Sequence, residues 1–107
     1  MTFYAWRARL KPDSLEAYRR AHAEMPPGMA NALRLSGYAD YRIFAFDDGE
    51  VFGSFRCQDI NDLRAKLAAA PVSTEWQERM RPLLIRDLDP STSFPRLMTP
   101  VFDLDDV

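Results

Sequence analysis

The segment from Tyr38 to Cys57 constrains the fold most strongly, because it predicts an antiparallel β-hairpin. Two alternating, aromatic-rich stretches, Tyr38 to Phe46 and Glu50 to Cys57, flank the sequence Asp47-Asp48-Gly49. An Asp-Gly pair in this position is typical of a tight β-turn. Both predicted strands carry apolar side chains on both faces, such as Phe44 and Phe46 on the face opposite Tyr41. Helices on one side would leave the second face in water, so we expect a second subunit to cover it.

The remaining segments predict two further strands and two helical regions. A strand is expected at Thr2 to Leu10, and a helix from the Lys11-Pro12-Asp13-Ser14 start to about Glu24. The pair Pro26-Pro27 breaks that helix, and a second helix is expected to end at Gly37. After the hairpin we expect, in order, a helix capped by Asp59 or Asn61 and ending near Ala69, a helix from Ser73 to Leu84, a polar loop from Ile85 to Ser93 and a last strand from Arg96 to Leu104.

This order, β-α(α)-β-β-α(α)-β, predicts an α+β protein of the ferredoxin-like βαββαβ type. Such a protein has an antiparallel four-stranded sheet with helices on one face. The 107 residues are expected to form a single domain, 1–107, whose acidic tail, 103–107, frays. The fold hosts many activities, so it carries little information about function.

Composition excludes several classes of partner and site. The formal net charge of −2 and the absence of a Lys/Arg run give no electrostatic case for nucleic acid or an anionic membrane. The single cysteine, Cys57, and the single histidine, His22, rule out a Cys/His zinc cluster. Cys57 lies in an alternating apolar segment and is expected to be a buried free thiol. No signal peptide or membrane span is evident, so the default location is the cytoplasm.

The first helix carries the candidate acid–base residues. Leu15, Tyr18, His22 and Met25 follow a helical spacing and form its apolar stripe. Tyr18 and His22 are one turn apart, so both should point inward and reach each other. An imidazole both accepts and donates protons near neutral pH. The alternative is that both residues belong to the core, which is common for a lone histidine on an apolar face.

Tyr41 on the second strand and Trp76 on a later helix could complete a pocket around this pair. Phenols hydrogen-bond hydroxyl groups and an indole stacks on the C–H face of a pyranose, so the set suits a sugar. Packing roles are the alternative for each. The sequence has no glycine-rich phosphate loop and no G-x-S-x-G motif. The aspartates from Asp87 to Asp89 are expected to form a solvated loop, and no metal or other cofactor is expected.

Along almost its full length the chain resembles the L-rhamnose mutarotases, a family of small aldose 1-epimerases. The resemblance rests on Lys11-Pro12-Asp13, Tyr18-x-x-x-His22, Gly37, Tyr41-Arg42-Ile43-Phe44, Trp76 and Val101-Phe102-x-Leu104. It implies a cytoplasmic homodimer that forms an α/β barrel and interconverts the anomers of a 6-deoxy aldose, L-rhamnose or L-fucose, without a cofactor. It also implies that His22 is the acid–base catalyst and that Tyr18, Tyr41 and Trp76 bind the sugar, with Tyr18 assisting catalysis.

Two other functions remain open at this point. Dimeric ferredoxin-like barrels include cofactor-independent monooxygenases and haem-degrading enzymes, in which a His, Trp and Tyr set could serve an aromatic substrate or ligate haem. The chain could also be a non-catalytic ligand-binding module in which Tyr18 and His22 are core residues.

Overall fold

A computed structural model describes residues 1–106 and contains one antiparallel sheet of four strands in the order β2-β3-β1-β4. The strands are Thr2–Leu10 (β1), Ala39–Ala45 (β2), Glu50–Cys57 (β3) and Leu84–Arg86 (β4). The helices are Leu15–Ala23 (α1), Pro27–Ser36 (α2), Ile60–Ala68 (α3) and Pro71–Met80 (α4), followed by a 3₁₀ turn at Leu104–Asp106. This is the predicted ferredoxin-like arrangement, and the α+β class is confirmed.

The predicted hairpin is confirmed, and its strands are antiparallel. Phe44 pairs with Phe52, and the Phe46 backbone N–H donates to the Glu50 carbonyl at 2.8 Å. Gly49 has φ of +102°, a conformation that side chains disfavour and that the turn requires. The Asp48 carboxylate accepts the Glu50 N–H at 3.1 Å. The turn is therefore stabilised by the residues that predicted it.

Helix boundaries follow local chemistry, with two corrections to the prediction. Asp59 caps α3 by accepting the N–H groups of Asn61 and Asp62, and Gly37 ends α2 with φ of +113°. Asp13, predicted in the first turn of α1, instead has φ of +60° in the preceding turn, and α1 begins at Leu15. The last helix begins at Pro71, because proline fits the first helical turn, and ends at Met80 rather than at Leu84.

The predicted last strand, Arg96 to Leu104, is wrong. The fourth strand is instead Leu84–Arg86, which pairs with β1 at Ala8 to Leu10. This strand includes Ile85, where the polar loop was expected to begin. The later segment contains Pro95 and Pro100, which cannot donate a backbone hydrogen bond to a neighbouring strand. Its backbone contacts are isolated instead. Pro95 forms a single bridge with Leu88, the Arg96 N–H donates to the Asp87 carbonyl at 2.9 Å, and the Met98 N–H donates to the Ala5 carbonyl at 2.7 Å.

The two faces of the sheet differ in burial. One face packs beneath the helices and carries the core side chains of β1 and β3: Trp6, Ala8, Leu10, Val51, Phe55 and Cys57. The predicted buried free thiol at Cys57 is confirmed. On the other face Phe3, Phe44 and Phe46 are 52%, 61% and 63% exposed. The second apolar face is therefore present as predicted, and its covering by a second subunit stays a prediction.

Within residues 1–106, no helix combines the length and the apolar character needed to cross a bilayer. The cytoplasmic location stays a prediction.

Candidate active site

An open cavity of about 910 Å³ lies between the helices and the sheet. All four predicted site residues, Tyr18, His22, Tyr41 and Trp76, contribute to its wall. They come from α1, β2 and α4, which are distant along the chain and meet because the helices cover one face of the sheet. The cavity is of the size that small-molecule sites have in proteins.

Tyr18 and His22 point to the same side of α1, as their spacing predicts. Their ring centroids are 4.4 Å apart. Tyr18 is 5% exposed and belongs to the core, whereas His22 is half-buried. Tyr18 thus packs in the core and also lines the cavity, and the acid–base role of the pair stays a prediction.

A backbone hydrogen bond fixes the tautomer of His22. The Nδ1 atom lies 2.8 Å from the backbone carbonyl oxygen of Tyr18, one turn earlier. A carbonyl oxygen only accepts, so Nδ1 carries the hydrogen and donates it. In the neutral imidazole this leaves Nε2 without a proton. The helix itself therefore presents His22 as a base.

Trp76 closes the cavity on the other side of His22. The two ring centroids are 5.1 Å apart and the rings are perpendicular. Trp76 is 8% exposed, and the Arg79 guanidinium lies 5.7 Å from the indole centroid on the same helix. Edge-to-face packing against Trp76 and the bond to Tyr18 together restrict the orientation of the imidazole.

Tyr41 belongs to a cluster of aromatic rings on the sheet that also includes Tyr38, a cavity residue that the sequence analysis missed. The two tyrosine rings stack with centroids 4.8 Å apart, and both contact Phe55. Burial raises the pKa of the Tyr41 phenol to about 12, although a hydrogen bond with Trp6 and the charge of Arg86 act in the opposite direction. Burial likewise raises the pKa of Tyr18 and of Tyr38. The three phenols therefore stay neutral at physiological pH.

Gly53 on β3 makes room for Trp6. Trp6 pairs directly with Gly53 across the β1–β3 ladder. A Cβ atom at position 53 would overlap three atoms of the indole ring, Cε2, Cζ2 and Nε1. The absence of a side chain therefore lets the indole lie flat on the sheet, where it lines the cavity together with Tyr41.

Arg86 is the second cavity residue that the sequence analysis missed. The sequence predicts a polar loop at this position, but Arg86 ends β4 and lines the cavity with its side chain half-buried. Burial lowers the pKa of its guanidinium, and the phenols of Tyr41, Tyr38 and Tyr18 act in the opposite direction. The cavity position of Arg86 could have been predicted only together with β4, because the strand decides on which face of the sheet the side chain lies.

The loop after β4 is held by ion pairs. Asp87 accepts two bonds of 2.9 Å from Arg96 and one of 3.3 Å from Arg7. The hydrogen bonds from Arg96 hold the pKa of the Asp87 carboxyl below its usual value. Within residues 1–106, no group of three or more His, Cys, Asp or Glu side chains is arranged to hold a metal ion.

Comparison with known proteins identifies the family. The family model for L-rhamnose mutarotase matches residues 4–104. The chain belongs to the L-rhamnose mutarotase family. An L-rhamnose mutarotase from Burkholderia orbicola is 31% identical over 98% of this chain and 100% of its own length. One from Paraburkholderia phytofirmans is 29% identical over 97% of this chain and 96% of its own.

The fold agrees with this assignment. The crystal structure of an L-rhamnose mutarotase from Formosa agariphila superposes with a TM-score of 0.75 at 20% identity, over 97% of this chain and 99% of that one. The protein is therefore an isomerase of the aldose 1-epimerase type with the predicted ferredoxin-like fold. The monooxygenase, haem and non-catalytic alternatives are not favoured.

Proposed function

We propose that this protein interconverts the α and β anomers of a 6-deoxy aldose, L-rhamnose in the first place and L-fucose as a further candidate, with His22 as general acid–base catalyst. The observation that carries the proposal is the 2.8 Å contact between His22 Nδ1 and the Tyr18 carbonyl oxygen, which leaves Nε2 as a proton acceptor. The curated relatives at 29–31% identity are named L-rhamnose mutarotase, which supports the choice of sugar.

The reaction requires two proton movements and no change of oxidation state. As the C1–O5 bond breaks, its electron pair goes to O5, which takes up a proton, while the anomeric hydroxyl O1 loses one and becomes the aldehyde oxygen. After rotation about C1–C2, the reverse steps close the ring with the opposite configuration. His22 Nε2 accepts the O1 proton, and the resulting imidazolium donates a proton to O5. On ring closure Nε2 takes the proton back from the C5 hydroxyl, and the imidazolium protonates O1.

Tyr18 orients rather than transfers protons in this scheme. Its raised pKa means that the phenol keeps its proton, so it donates a hydrogen bond to a sugar oxygen instead of acting as a base. Tyr41 is neutral for the same reason and offers a second hydroxyl group from the sheet. Trp76 supplies an apolar wall for the C–H groups of the sugar.

The test is anomer exchange measured by saturation-difference NMR on L-rhamnose and L-fucose, with wild type beside His22→Ala. We expect wild type to accelerate exchange and the variant to lose about 10²-fold or more of kcat, the size of a general acid–base contribution. A folded His22→Ala protein with the wild-type rate would refute the assignment. No acceleration of any aldose by wild type would refute the substrate class.

We further propose that the protein is a homodimer whose subunits pair their open sheet faces. Phe3, Phe44, Phe46 and Ile85 are more than half exposed on that face, and Val101 and Phe102 are exposed in the C-terminal segment. Apolar groups so concentrated on one side are typical of a subunit interface. Sedimentation velocity should give twice the monomer mass, and Phe44→Ser should shift the protein toward monomer. A wild-type monomer at micromolar concentration would contradict the proposal.

A further inference from the structure

Arg86 places a positive charge on the wall of the cavity. In the β1–β4 ladder its Cα partner is Ala8, which is buried beneath the helices. Directly opposed residues of antiparallel strands share a face, so the Arg86 side chain lies on the helix-covered side of the sheet. It lines the same cavity as Tyr18 and His22 and is half-buried there.

Within residues 1–106, no carboxylate pairs with this guanidinium. The neighbouring Asp87 is occupied by Arg96 and Arg7. The other aspartate on the cavity wall, Asp40, forms an ion pair with Arg56 at 2.5 Å. The groups close enough to influence Arg86 are instead phenols, which are neutral.

A half-buried cation without a protein anion is only partly solvated, so an anionic ligand that enters the cavity would be stabilised there. Withdrawing a charged group from water costs free energy that neutral phenols recover only in part, through hydrogen bonds. Two of the other arginines on the cavity wall are already paired, Arg7 with Asp87 and Arg19 with Glu16. Within the described residues, Arg86 and Arg34 are the wall arginines without a carboxylate partner.

We propose that the cavity also accepts aldoses that carry a carboxylate in place of the C6 methyl group, that is hexuronates, and that Arg86 binds this carboxylate. A guanidinium presents two parallel N–H donors that match the two oxygens of a carboxylate. The proposal rests on the proposed function, because the same His22 opens and closes the ring by the same proton movements. Tyr18, whose ring centroid lies 4.4 Å from that of His22, lines the same cavity as Arg86.

L-rhamnose and L-mannuronate test this inference as a matched pair, because they differ only in a methyl or a carboxylate at C6. Anomer exchange of each sugar is measured at neutral pH with wild type, Arg86→Met and Arg20→Met. Arg20 is an exposed arginine of α1 outside the cavity wall, so the last variant loses the same charge elsewhere and serves as the control.

We expect wild type to accelerate exchange of both sugars. Arg86→Met should raise KM for L-mannuronate by about 10- to 100-fold, the size of a lost charge-assisted pair. In the same variant the rate of L-rhamnose exchange should change by less than about threefold. In Arg20→Met the exchange rates of both sugars should stay within the same limit, as is usual for substitutions at exposed sites.

Two results would overturn the inference while leaving the proposed function intact. One is exchange of L-rhamnose without any acceleration of L-mannuronate by wild type. The other is an equal loss for both sugars in Arg86→Met, which would make Arg86 a general binding residue. Exchange of L-mannuronate alone, lost in Arg86→Met, would support the inference and refute L-rhamnose as substrate, and no exchange of either sugar would refute both.

Discussion

Replacing Gly53 by alanine should displace the Trp6 indole and thereby alter the cavity wall. The new Cβ would overlap three atoms of the indole ring. Non-bonded carbon atoms are most stable at about 3.5–4.0 Å, so the ring must move by at least about 1 Å. Overpacking of this kind costs about 1–3 kcal/mol. Because Trp6 and Tyr41 both line the cavity, we expect displacement of the indole to weaken sugar binding as well.

Urea denaturation followed by tryptophan fluorescence measures the stability change, and anomer exchange measures the effect on KM. Gly28→Ala is the matched control, since a Cβ there would meet only Val72 Cγ2 at 3.9 Å and alanine favours the helix. A second variant, Gly53→Ala with Trp6→Phe, should lose less stability than the two single changes added together, because the smaller ring relieves the overlap. A Gly53→Ala protein as stable as wild type would refute the close packing of Trp6 on the sheet.

Three further predictions follow from individual residues. Burial raises the pKa of Tyr41 from 10.0 to about 12, so between these pH values the folded state keeps a proton that the unfolded chain has lost, and the free energy of unfolding should fall as pH rises. In urea titrations from about pH 10 to 12, the free energy of unfolding of Tyr41→Phe should fall less steeply than that of wild type. Equal slopes would contradict the burial of this phenol. Tyr18→Phe should lower kcat/KM by about 2- to 10-fold in exchange NMR, because one hydrogen bond to the sugar is lost while the Tyr18 backbone carbonyl still holds His22. A loss as large as that of His22→Ala would argue for proton transfer by Tyr18. Asp59→Ala removes the N-cap of α3, so it should destabilise the protein by about 1 kcal/mol in thermal denaturation. Anomer exchange should stay unchanged, because Asp59 does not line the cavity. Unchanged stability would contradict the capping role.

Local chemistry made much of this fold predictable from the sequence. The Asp-Gly turn, the proline pair after α1 and Gly37 each mark a boundary that the structure retains. The spacing of Tyr18 and His22 placed them on one face of α1, and the structure brings them together with Tyr41 and Trp76. These features could be predicted from the sequence because helix periodicity and turn chemistry depend on only a few neighbouring residues.

The fourth strand was not predictable in this way, and Arg86 was missed with it. Leu84–Arg86 is too short to show an alternating pattern, and its pairing with β1 is decided by tertiary contacts more than 70 positions apart in the sequence. The apolar residues Val101 and Phe102, which suggested a strand, instead stay exposed. Tyr38 was missed for a related reason, since its contact with the cavity depends on how the start of β2 packs over Phe55.

The central claim is that the Nε2 atom of His22 moves the protons of ring opening, and chemical rescue tests it most directly. The rate of L-rhamnose anomer exchange is measured for His22→Ala with and without added imidazole, and the rate with imidazole alone is subtracted. We expect a loss of about 10²-fold or more in the variant, partly restored by imidazole that enters the open cavity. A folded His22→Ala protein that exchanges L-rhamnose at the wild-type rate without imidazole would contradict it.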